Sequence, residues 1–356
     1  MSLRLNDCIN RLVSQKAEFA IYKDQNDEKL HIIIPKFPSY NFKAVSDLLG
    51  HKCFLLSPFF MDGPFNGVAL PYDRSIHIGQ LDAILSQERL PRVEHECLVK
   101  QDDSFERYDS DFNVFHEALV KNEFEKLVLT YMEKHELKST LGDIFVNACR
   151  KYKHAFVYMM YTKDSGLWFG ATPEILCTFR GDKMTTMALA GTMKKDPSGI
   201  YEWSDKNRSE QAIVGKYLYD SLLPICDNVR MSEAYTQEAG PVVHLRSDIT
   251  CNLRPGLMDK LIRVMHPTPA VCGMPKQQAL DFIKSKENMD RLYYAGFIGP
   301  LDSLKRKASL FVNLRSMYVY NNNAYLFSGS GLMKESDHAE ERKEIETKLN
   351  TLTSLL

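Results

Sequence analysis

The stretch HAFVYMMYTKDSGLWFGATPEILCTFRGDKMTTMALA, residues 154–190, decides the fold class of this chain of 356 residues. His154–Tyr161 is a short apolar run typical of a buried strand, and it ends at the turn Asp164–Gly166. Leu167–Phe179 and Met184–Ala190 predict two further strands, joined by another turn that contains Gly and Asp. Consecutive strands joined by tight turns pair antiparallel, because parallel neighbours need a long crossover connection.

The same antiparallel pattern recurs towards the C-terminus. Ser309–Tyr320 and Ala324–Met333 predict a hairpin around Asn321–Asn323, which a final helix follows. Upstream, an amphipathic helix is predicted over Phe112–Glu125, leading into a strand at Lys126–Tyr131. Antiparallel strands combined with amphipathic helices predict an α+β fold in which large antiparallel sheets form a sandwich and the helices pack outside.

A polar stretch, Leu98–Asp111, is the best candidate for an internal boundary. Short strand-like runs such as Phe19–Tyr22 and Leu30–Ile34 precede it. We therefore predict an N-terminal α/β region over residues 1–105 and a main region over residues 106–356, packed together in one compact body.

Charge and hydrophobicity exclude several classes of protein. Lys and Arg number 45 and Asp and Glu number 46, which gives a net charge of −1. Without a basic excess, nucleic acid binding is not expected. The longest unbroken apolar run, Ala155–Tyr161, is far shorter than the roughly 20 residues that cross a bilayer, so no membrane segment is expected either.

The eight cysteines form no C-x-x-C pair, which argues against a zinc ribbon and against a thioredoxin-type motif. The N-terminal residues MSLRLND lack the apolar region and small-residue cleavage site of a secretory signal. We expect reduced thiols that pack in the core, and a cytoplasmic location.

Two helices carry carboxylates where a core-facing side should be apolar. The first begins at about Asp205 with Ser204 as N-cap, and it places Glu210 on the same face as Ile213 and Val214. A carboxylate that faces inward costs several kcal/mol unless it is paired or binds a metal. The alternative is an exposed helix end or a simple lysine pair.

The second is the C-terminal helix, where Glu341 lies four residues before the apolar Ile345 and Glu344 lies four before Lys348. The alternative is a solvated face with a weak ion pair. Before this helix, Ser328–Gly331 predicts a Gly-alternating turn whose backbone N–H groups bind an anion. Carboxylates beside an anion site indicate Mg²⁺, which prefers oxygen ligands and would bridge them to a substrate carboxylate.

Ordered motifs in the chain resemble the chorismate-utilising enzymes, the family of the anthranilate, aminodeoxychorismate, isochorismate and salicylate synthases. The resemblance covers about two-thirds of the chain, from about Phe112 to the C-terminus. The motifs that carry it are GATPEIL (170–176), ALAGT (188–192), MHPTPAVCGMPK (265–276), Glu287 with DRLYYAG (290–296), VNLRS (312–316), SGSG (328–331), Ser336-Asp337 and the E-x-x-E-x-x-x-K spacing of 341–348.

The resemblance implies a Mg²⁺-dependent enzyme that acts on chorismate. Glu210 and Glu344 would hold the metal, with Glu341 in support, and the metal would grip the ring carboxylate. Arg315, Tyr294, Lys348 and the Gly329 backbone would receive the pyruvyl carboxylate, since an Arg fork matches two carboxylate oxygens. Further positions implied to contact the substrate are Gly191, Thr192, His244 and Ala270.

The catalytic pair is implied by two further matches. Lys126, at the start of the run KLVLT, resembles the lysine that serves as general base in water-using members, and Glu174 resembles their general acid. Such an acid needs a raised pKa and such a base a lowered one. Ala190 stands where amine-transferring members often carry a lysine. The resemblance thus implies the isochorismate synthase branch, in which water adds at C2 and the C4 hydroxyl leaves.

Two alternatives stay open at this point: a salicylate synthase, which also eliminates pyruvate, and a catalytically silent chorismate-binding subunit. We expect a monomer with no glutamine amidotransferase partner, whose product feeds either menaquinone or siderophore synthesis. The chain departs from the family pattern at Tyr131, Met193–Lys195, Leu292 and His338-Ala339. These departures are expected to change loop geometry more than chemistry.

Overall fold

The computed structural model describes residues 4–87, 89–100, 104–239 and 242–356. Within these ranges the chain forms two antiparallel sheets with helices packed around them, as the sequence predicts. In spatial order, the first sheet contains β14 (Gly273–Met274), β6 (Lys126–Glu136), β18 (Asn323–Leu332), β17 (Ser316–Tyr320), β8 (Gly166–Thr172), β7 (Phe156–Thr162), β1 (Phe19–Lys23) and β2 (Leu30–Ile33).

The second sheet is the larger of the two. In spatial order it contains β11 (Cys226–Met231), β13 (Val242–Leu253), β10 (Lys183–Lys194), β9 (Ile175–Arg180), β16 (Lys307–Val312), β15 (Phe297–Asp302), β4 (Lys52–Ser57), β5 (Gly67–Pro71) and β3 (Tyr40–Phe42), while β12 (Tyr235–Ala239) pairs with β13.

Helices cover the sheets. They are α1 (Leu5–Gln15), α2 (Ile78–Gln87), α3 (Phe105–Val120), α4 (Leu141–Lys151), α5 (Asp205–Leu222), α6 (Met258–Met265), α7 (Lys276–Lys286) and α8 (His338–Thr353), with a short 3₁₀ helix at Val45–Leu48. In the part of the chain that the structure describes, none of them has the length and apolar character needed to cross a membrane. All eight cysteines are free thiols, and six of them are buried.

The two sheets pack through aromatic side chains. The ring of Phe156 in β7 stacks on Phe311 in β16, with 4.1 Å between ring centroids. Tyr22 in β1 stacks on Phe54 in β4 at 5.2 Å. Full burial of a phenylalanine contributes about 1.5–3 kcal/mol, so these contacts hold the sheets face to face.

Two predicted strands are wrong, because each breaks where the chain passes from one sheet to the other. The run Leu167–Phe179 forms β8 in the first sheet and β9 in the second, with Pro173 and Glu174 between them. Likewise, Ser309–Tyr320 is divided between β16 and β17. Both flanking strands are buried in each case, so periodicity shows one continuous apolar run and not the change of sheet.

The two crossings lie side by side and are hydrogen-bonded to each other. Val312 N–H donates to the Glu174 carbonyl (3.0 Å), and Ala171 N–H donates to the Arg315 carbonyl (3.0 Å). The Thr172 hydroxyl donates to the Val312 carbonyl (2.7 Å). Arg315 has a φ of 47°, an uncommon conformation for a residue with a side chain. Glu174 and Arg315 are thus fixed at neighbouring points between the sheets.

The predicted turn at Ser328–Gly331 is also wrong, because this segment lies inside β18. Gly329 is opposite Thr130 and Gly331 is opposite Val128 in the ladder with β6. Within this ladder alternate N–H groups are directed at β6, so the segment does not present the consecutive row of N–H groups that an anion-binding turn would offer. The Gly329 carbonyl accepts from Lys348, and the predicted role of the Gly329 backbone in binding the substrate stays a prediction. The glycines have another effect: a Cβ on Gly331 would overlap Glu210 Oε1 and would lie 2.9 Å from Lys126 Cε.

The predicted boundary Leu98–Asp111 contains residues 101–103, which lie outside the described residues. The helix predicted over Phe112–Glu125 begins earlier, at Phe105, because the Ser104 side chain caps it by accepting from Arg107 N–H. Strands from the first hundred residues pair into both sheets, β1 with β7 and β4 with β15. The division into residues 1–105 and 106–356 stays a prediction.

Candidate active site

One cavity lies where the two sheet crossings face the helices α5 and α8. Of the thirteen residues that the sequence singles out, ten line this cavity: Glu174, Gly191, Thr192, Glu210, His244, Ala270, Tyr294, Arg315, Gly329 and Lys348. Lys126, Glu341 and Glu344 stand just behind its wall, where ion pairs join them to the lining or to its neighbours. The structure thus brings together residues that are separated by up to about 220 positions in the chain.

A β-bulge shapes one wall. The register between β10 and β13 shifts between Ala190 and Thr192, and Gly191 adopts a φ of 74° at this point. Glycine is suited to this conformation because it has no Cβ. The bulge directs Gly191 N–H to Glu210 Oε2 (3.1 Å) and the Gly191 carbonyl to His244 Nδ1 (3.0 Å).

His244 and Arg315 form a buried hydrogen-bonded pair. Arg315 Nη2 donates to His244 Nε2 (3.0 Å), so the ring proton lies on Nδ1, which donates to the Gly191 carbonyl. Burial lowers the pKa of His244 to about 3, and Arg315 and Lys348 act in the same direction. Arg315 Nη1 also donates to Thr351 Oγ1 (2.9 Å). A neutral histidine therefore orients the guanidinium without competing with it for an anion.

Glu174 stands at the first crossing with only 4% of the residue exposed. Among the described residues its carboxyl group has neither a hydrogen-bond partner nor an ion-pair partner. Burial raises the pKa of Glu174 to about 8, although Lys126, Lys348 and Arg315 act to lower it. A carboxyl group in this environment is protonated at neutral pH and can give up its proton to a bound molecule.

Helix α5 presents Glu210 to the opposite wall. Ser204 caps the helix by accepting from Asn207 N–H, and the buried Val214 and Leu218 follow Glu210 at four-residue intervals on the same face. Lys126 Nζ lies 2.8 Å from Glu210 Oε1, and the lysine side chain is fully buried. Burial acts to raise the pKa of Glu210, but the charge and hydrogen bond of Lys126, together with the Lys348 and Lys206 charges, outweigh it, and the pKa is lowered. Glu210 is thus a stable carboxylate.

Helix α8 supplies the other two carboxylates. Glu344 pairs with Lys348 (2.6 Å), which also donates to the Gly329 carbonyl (2.8 Å). Glu341 is 1% exposed, pairs with Lys206 and accepts from Ser336 Oγ (2.7 Å). Burial, together with the Glu344 carboxylate, raises the pKa of Glu341.

Lys206 is a site residue that the sequence reasoning missed. Its ammonium group lies in the field of Glu341, Glu344 and Glu210, which together raise its pKa above the usual lysine value although burial acts to lower it. It stands four residues before Glu210 on α5, so helix spacing places both on one face. Its pairing with Glu341, 135 positions away, is tertiary and has no local signal.

The residues present fit a hard divalent cation in their chemistry. The donors are carboxylate oxygens on two neighbouring helices, which suits Mg²⁺. Glu341 Oε2 is buried, and no described residue supplies it with a hydrogen bond. As the side chains stand, no group of three His, Cys, Asp or Glu in the described ranges converges on one point. Instead Glu210, Glu341 and Glu344 each pair with a lysine, so the charges of the cluster cancel.

Comparisons with known proteins agree with this geometry. A family model described as "chorismate binding enzyme" matches residues 73–356. The isochorismate synthase MenF of Pasteurella multocida is 29% identical over 67% of this chain and 59% of its own length. The salicylate biosynthesis isochorismate synthase of Pseudomonas aeruginosa is 32% identical over 54% of this chain and 43% of its own length. The chain therefore spans about half of the length of these relatives.

The fold has close counterparts among solved structures. MenF from Escherichia coli, described as a menaquinone-specific isochorismate synthase, superposes with a TM-score of 0.80 at 19% identity. The match covers 98% of this chain and 91% of that one. This likeness shows a shared fold.

Proposed function

The chain belongs to the chorismate-binding enzyme family, as its motifs predict, and on that premise we propose that it is an isochorismate synthase. The single observation that carries the proposal is the position of Glu174 in one buried cavity with Arg315 and His244, directly in front of the buried pair of Lys126 and Glu210. The proposed reaction exchanges one hydroxyl group for another on a substrate with two carboxylates. It requires a proton donor, a proton acceptor and a cation that binds a carboxylate, and the unpaired carboxyl group, the buried lysine and the oriented guanidinium can supply these.

Glu174 is the proposed general acid. Its raised pKa keeps the proton on the carboxyl group at neutral pH, and the leaving C4 hydroxyl of chorismate would take that proton. Lys126 is the proposed general base, which would remove a proton from the water that adds at C2. The bond changes balance: one C–O bond forms at C2, the two ring double bonds move from C1=C2 and C5=C6 to C1=C6 and C4=C5, and the C4–O bond breaks. The C4 hydroxyl, protonated by Glu174, leaves as water.

Arg315 and Lys348, which together form the cationic wall of the cavity, would orient the substrate. Arg315, fixed by His244 and Thr351, offers a planar fork to a carboxylate, and Lys348 adds a second positive charge. Glu210, Glu341 and Glu344 would hold Mg²⁺. When bound, Mg²⁺ would supply positive charge to the ring carboxylate and replace the lysines as the partner of these glutamates.

Incubation of the purified protein with chorismate and Mg²⁺, followed by chromatography of the products, tests the proposal. Isochorismate is the expected product. Salicylate would instead indicate the synthase that also eliminates pyruvate, and chorismate bound without turnover would indicate a binding subunit. In ¹⁸O-labelled water, the isochorismate must carry the label at C2; unlabelled product would exclude water as the nucleophile.

A further inference from the structure

The strand that carries Lys126 has an incomplete neighbour on one side. Beside β6, strand β14 pairs only at Gly273, opposite Leu127, and at Met274, opposite Lys126. One more bond, from Val128 N–H to the Cys272 carbonyl (2.7 Å), extends this contact. Beyond it, no strand within the described ranges pairs with that edge of β6, and buried backbone groups of this kind need other partners.

A buried ion pair takes the place of the missing strand. Arg291 Nη2 donates to the Val128 carbonyl (2.6 Å), and Glu287 Oε1 accepts from Thr130 N–H (2.8 Å). The two side chains bond each other through two contacts, Arg291 Nε to Glu287 Oε2 (2.6 Å) and Arg291 Nη2 to Glu287 Oε1 (2.9 Å). A second pair, Arg107 with Asp111, continues the edge, because Arg107 Nη2 donates to the Thr130 carbonyl (2.9 Å).

Arg291 also bonds the neighbouring backbone segment of the cavity lining. Its Nη1 donates to the Val271 carbonyl (2.8 Å), and Val271 follows Ala270 in the cavity lining. One guanidinium thus ties together Val128 and Val271, which both line the site. Neither Arg291 nor Glu287 lines the cavity, and their side chains are 0% and 1% exposed.

Stability alone does not account for this pair. A buried ion pair loses so much hydration that well-packed apolar residues of similar volume generally serve as well. What apolar residues cannot supply is directed hydrogen bonds to the Val128 carbonyl, the Thr130 amide and the Val271 carbonyl. The pair therefore defines backbone geometry, two residues away from Lys126.

We infer that Glu287 and Arg291 are positioning residues that hold the Lys126 strand against the Ala270–Val271 wall and so set where the lysine ammonium stands. The inference rests on the proposed function, in which Lys126 acts as the base. It predicts that loosening the pair reduces turnover while leaving the substrate-binding cationic wall intact.

The test uses two variants. Glu287→Leu combined with Arg291→Met removes both charges together, and Arg291→Lys keeps the charge but cannot reach both carbonyl groups. We expect kcat to fall at least about tenfold in each, since small misplacements of a catalytic group are costly, while KM for chorismate changes less than about twofold. If the double variant does not fold, kcat and KM of Arg291→Lys alone test the inference.

Leu55→Ala is the matched control. Leu55 is fully buried in β4 of the other sheet, so its truncation lowers the melting temperature by several degrees without touching the Lys126 strand. Its kcat should equal that of the wild type. If kcat in the Arg291 variants is unchanged, or falls only as far as in Leu55→Ala at equal melting temperature, the inference is overturned.

Amide hydrogen exchange separates this inference from the proposed function. In Arg291→Lys, exchange at Val128–Thr130 should be at least about tenfold faster than in the wild type, while the amides of β4 stay as protected as before. Unchanged exchange at Thr130 overturns the inference whatever the enzyme does. A wild type that makes no isochorismate overturns the proposed function instead, and exchange then still decides whether the pair holds the strand.

Discussion

Glu174 and Glu210 are buried carboxyl groups in one cavity, yet their surroundings drive them to opposite protonation states. Glu174 stands at a sheet crossing without a partner among the described residues, and burial raises its pKa to about 8. Glu210 stands on a helix beside Lys126, and the combined effect of Lys126, Lys348 and Lys206 lowers its pKa in spite of burial. Lys126 lowers the pKa of both groups, but of the two it forms an ion pair only with Glu210, where Lys348 and Lys206 add to its effect. The comparison teaches that close pairing with cations keeps one of two buried glutamates ionised, while burial without a pair keeps the other protonated.

The two sides of the cavity, the sheet crossings and the helices α5 and α8, produce these opposite protonation states in different ways. At the sheet-crossing wall the Glu174 N–H donates to Thr172 Oγ1, and in the part of the chain that the structure describes no cation forms an ion pair with the Glu174 carboxyl group. The helix wall, formed by α5 and α8, carries acidic and basic side chains, and Glu210, Glu341 and Glu344 each form an ion pair with a lysine. At the first wall the Glu174 carboxyl group retains its proton. At the second wall the glutamates supply negative charge that can bind a cation.

Removing the lysine should have the largest effect. In Lys126→Met we expect isochorismate formation to fall by about 10⁴-fold, the upper end for a lost general base, because Glu210 also loses its partner. Chorismate binding should persist, since Arg315 and Lys348 are untouched. Chromatographic product assays check this, with the exposed Lys121→Met as control. Retention of a tenth of the activity would contradict the assigned base.

Removing the unpaired acid should cost about 10³-fold in kcat, within the usual range for a lost general acid. Glu174→Gln also sharpens the comparison through stability. The folded state binds the Glu174 proton more tightly than the unfolded chain, because the pKa is raised from 4.5 to about 8. The wild type therefore loses stability as pH rises through that window, by at most about 5 kcal/mol.

Glutamine does not ionise, so Glu174→Gln should melt at a higher temperature than the wild type at pH 9, and the gain should vanish towards pH 5. Thermal melts across this range measure it, and the exposed Glu28→Gln is the control. Equal melting temperatures of wild type and Glu174→Gln at pH 9 would show that Glu174 is not a buried acid.

Weakening the helix wall should cost about 10²-fold. Glu344→Gln removes one carboxylate charge from the proposed Mg²⁺ site, and a lost charge contact of this kind typically costs a few kcal/mol in the transition state. Titration of Mn²⁺ followed by paramagnetic resonance should show weaker metal binding. Glu340→Gln, exposed on the same helix, is the matched control. Full activity of the wild type in EDTA would exclude the metal.

The pH profile should show the smallest change. Above about pH 8, where Glu174 loses its proton, kcat/KM for chorismate should fall about tenfold per pH unit. The same limb should be absent from the residual activity of Glu174→Gln. If kcat/KM of the wild type stays constant up to pH 10, Glu174 is not the general acid.

Sequence reasoning succeeded where the signal is local. Helix α5 contains its own signals: the Ser204 cap and the four-residue spacing from Glu210 to Val214 and Leu218. The helix and its inward face can therefore be predicted from the sequence. The pair of Glu344 and Lys348 follows from the same spacing.

It failed where tertiary structure decides. An apolar run that changes sheets at Pro173 has the same periodicity as one that does not, and the Ser328–Gly331 glycines have the composition of a turn although they lie in a strand. The contacts of Lys206 with Glu341 and of Arg291 with Val128 join residues that are 135 and 163 positions apart. No local pattern contains them.

The crossings at Pro173-Glu174 and Asn313–Arg315 also limit how this chain can vary in length. Each crossing joins a strand of one sheet directly to a strand of the other, so one inserted residue would turn every following side chain to the opposite face. The two crossings are bonded to each other, so an insertion in one would displace both Glu174 and Arg315. We therefore expect insertions and deletions to be tolerated at distant hairpins such as Asn321–Asn322 and not at the crossings, so that new chemistry at this site would arise by exchange of side chains on a backbone of fixed length.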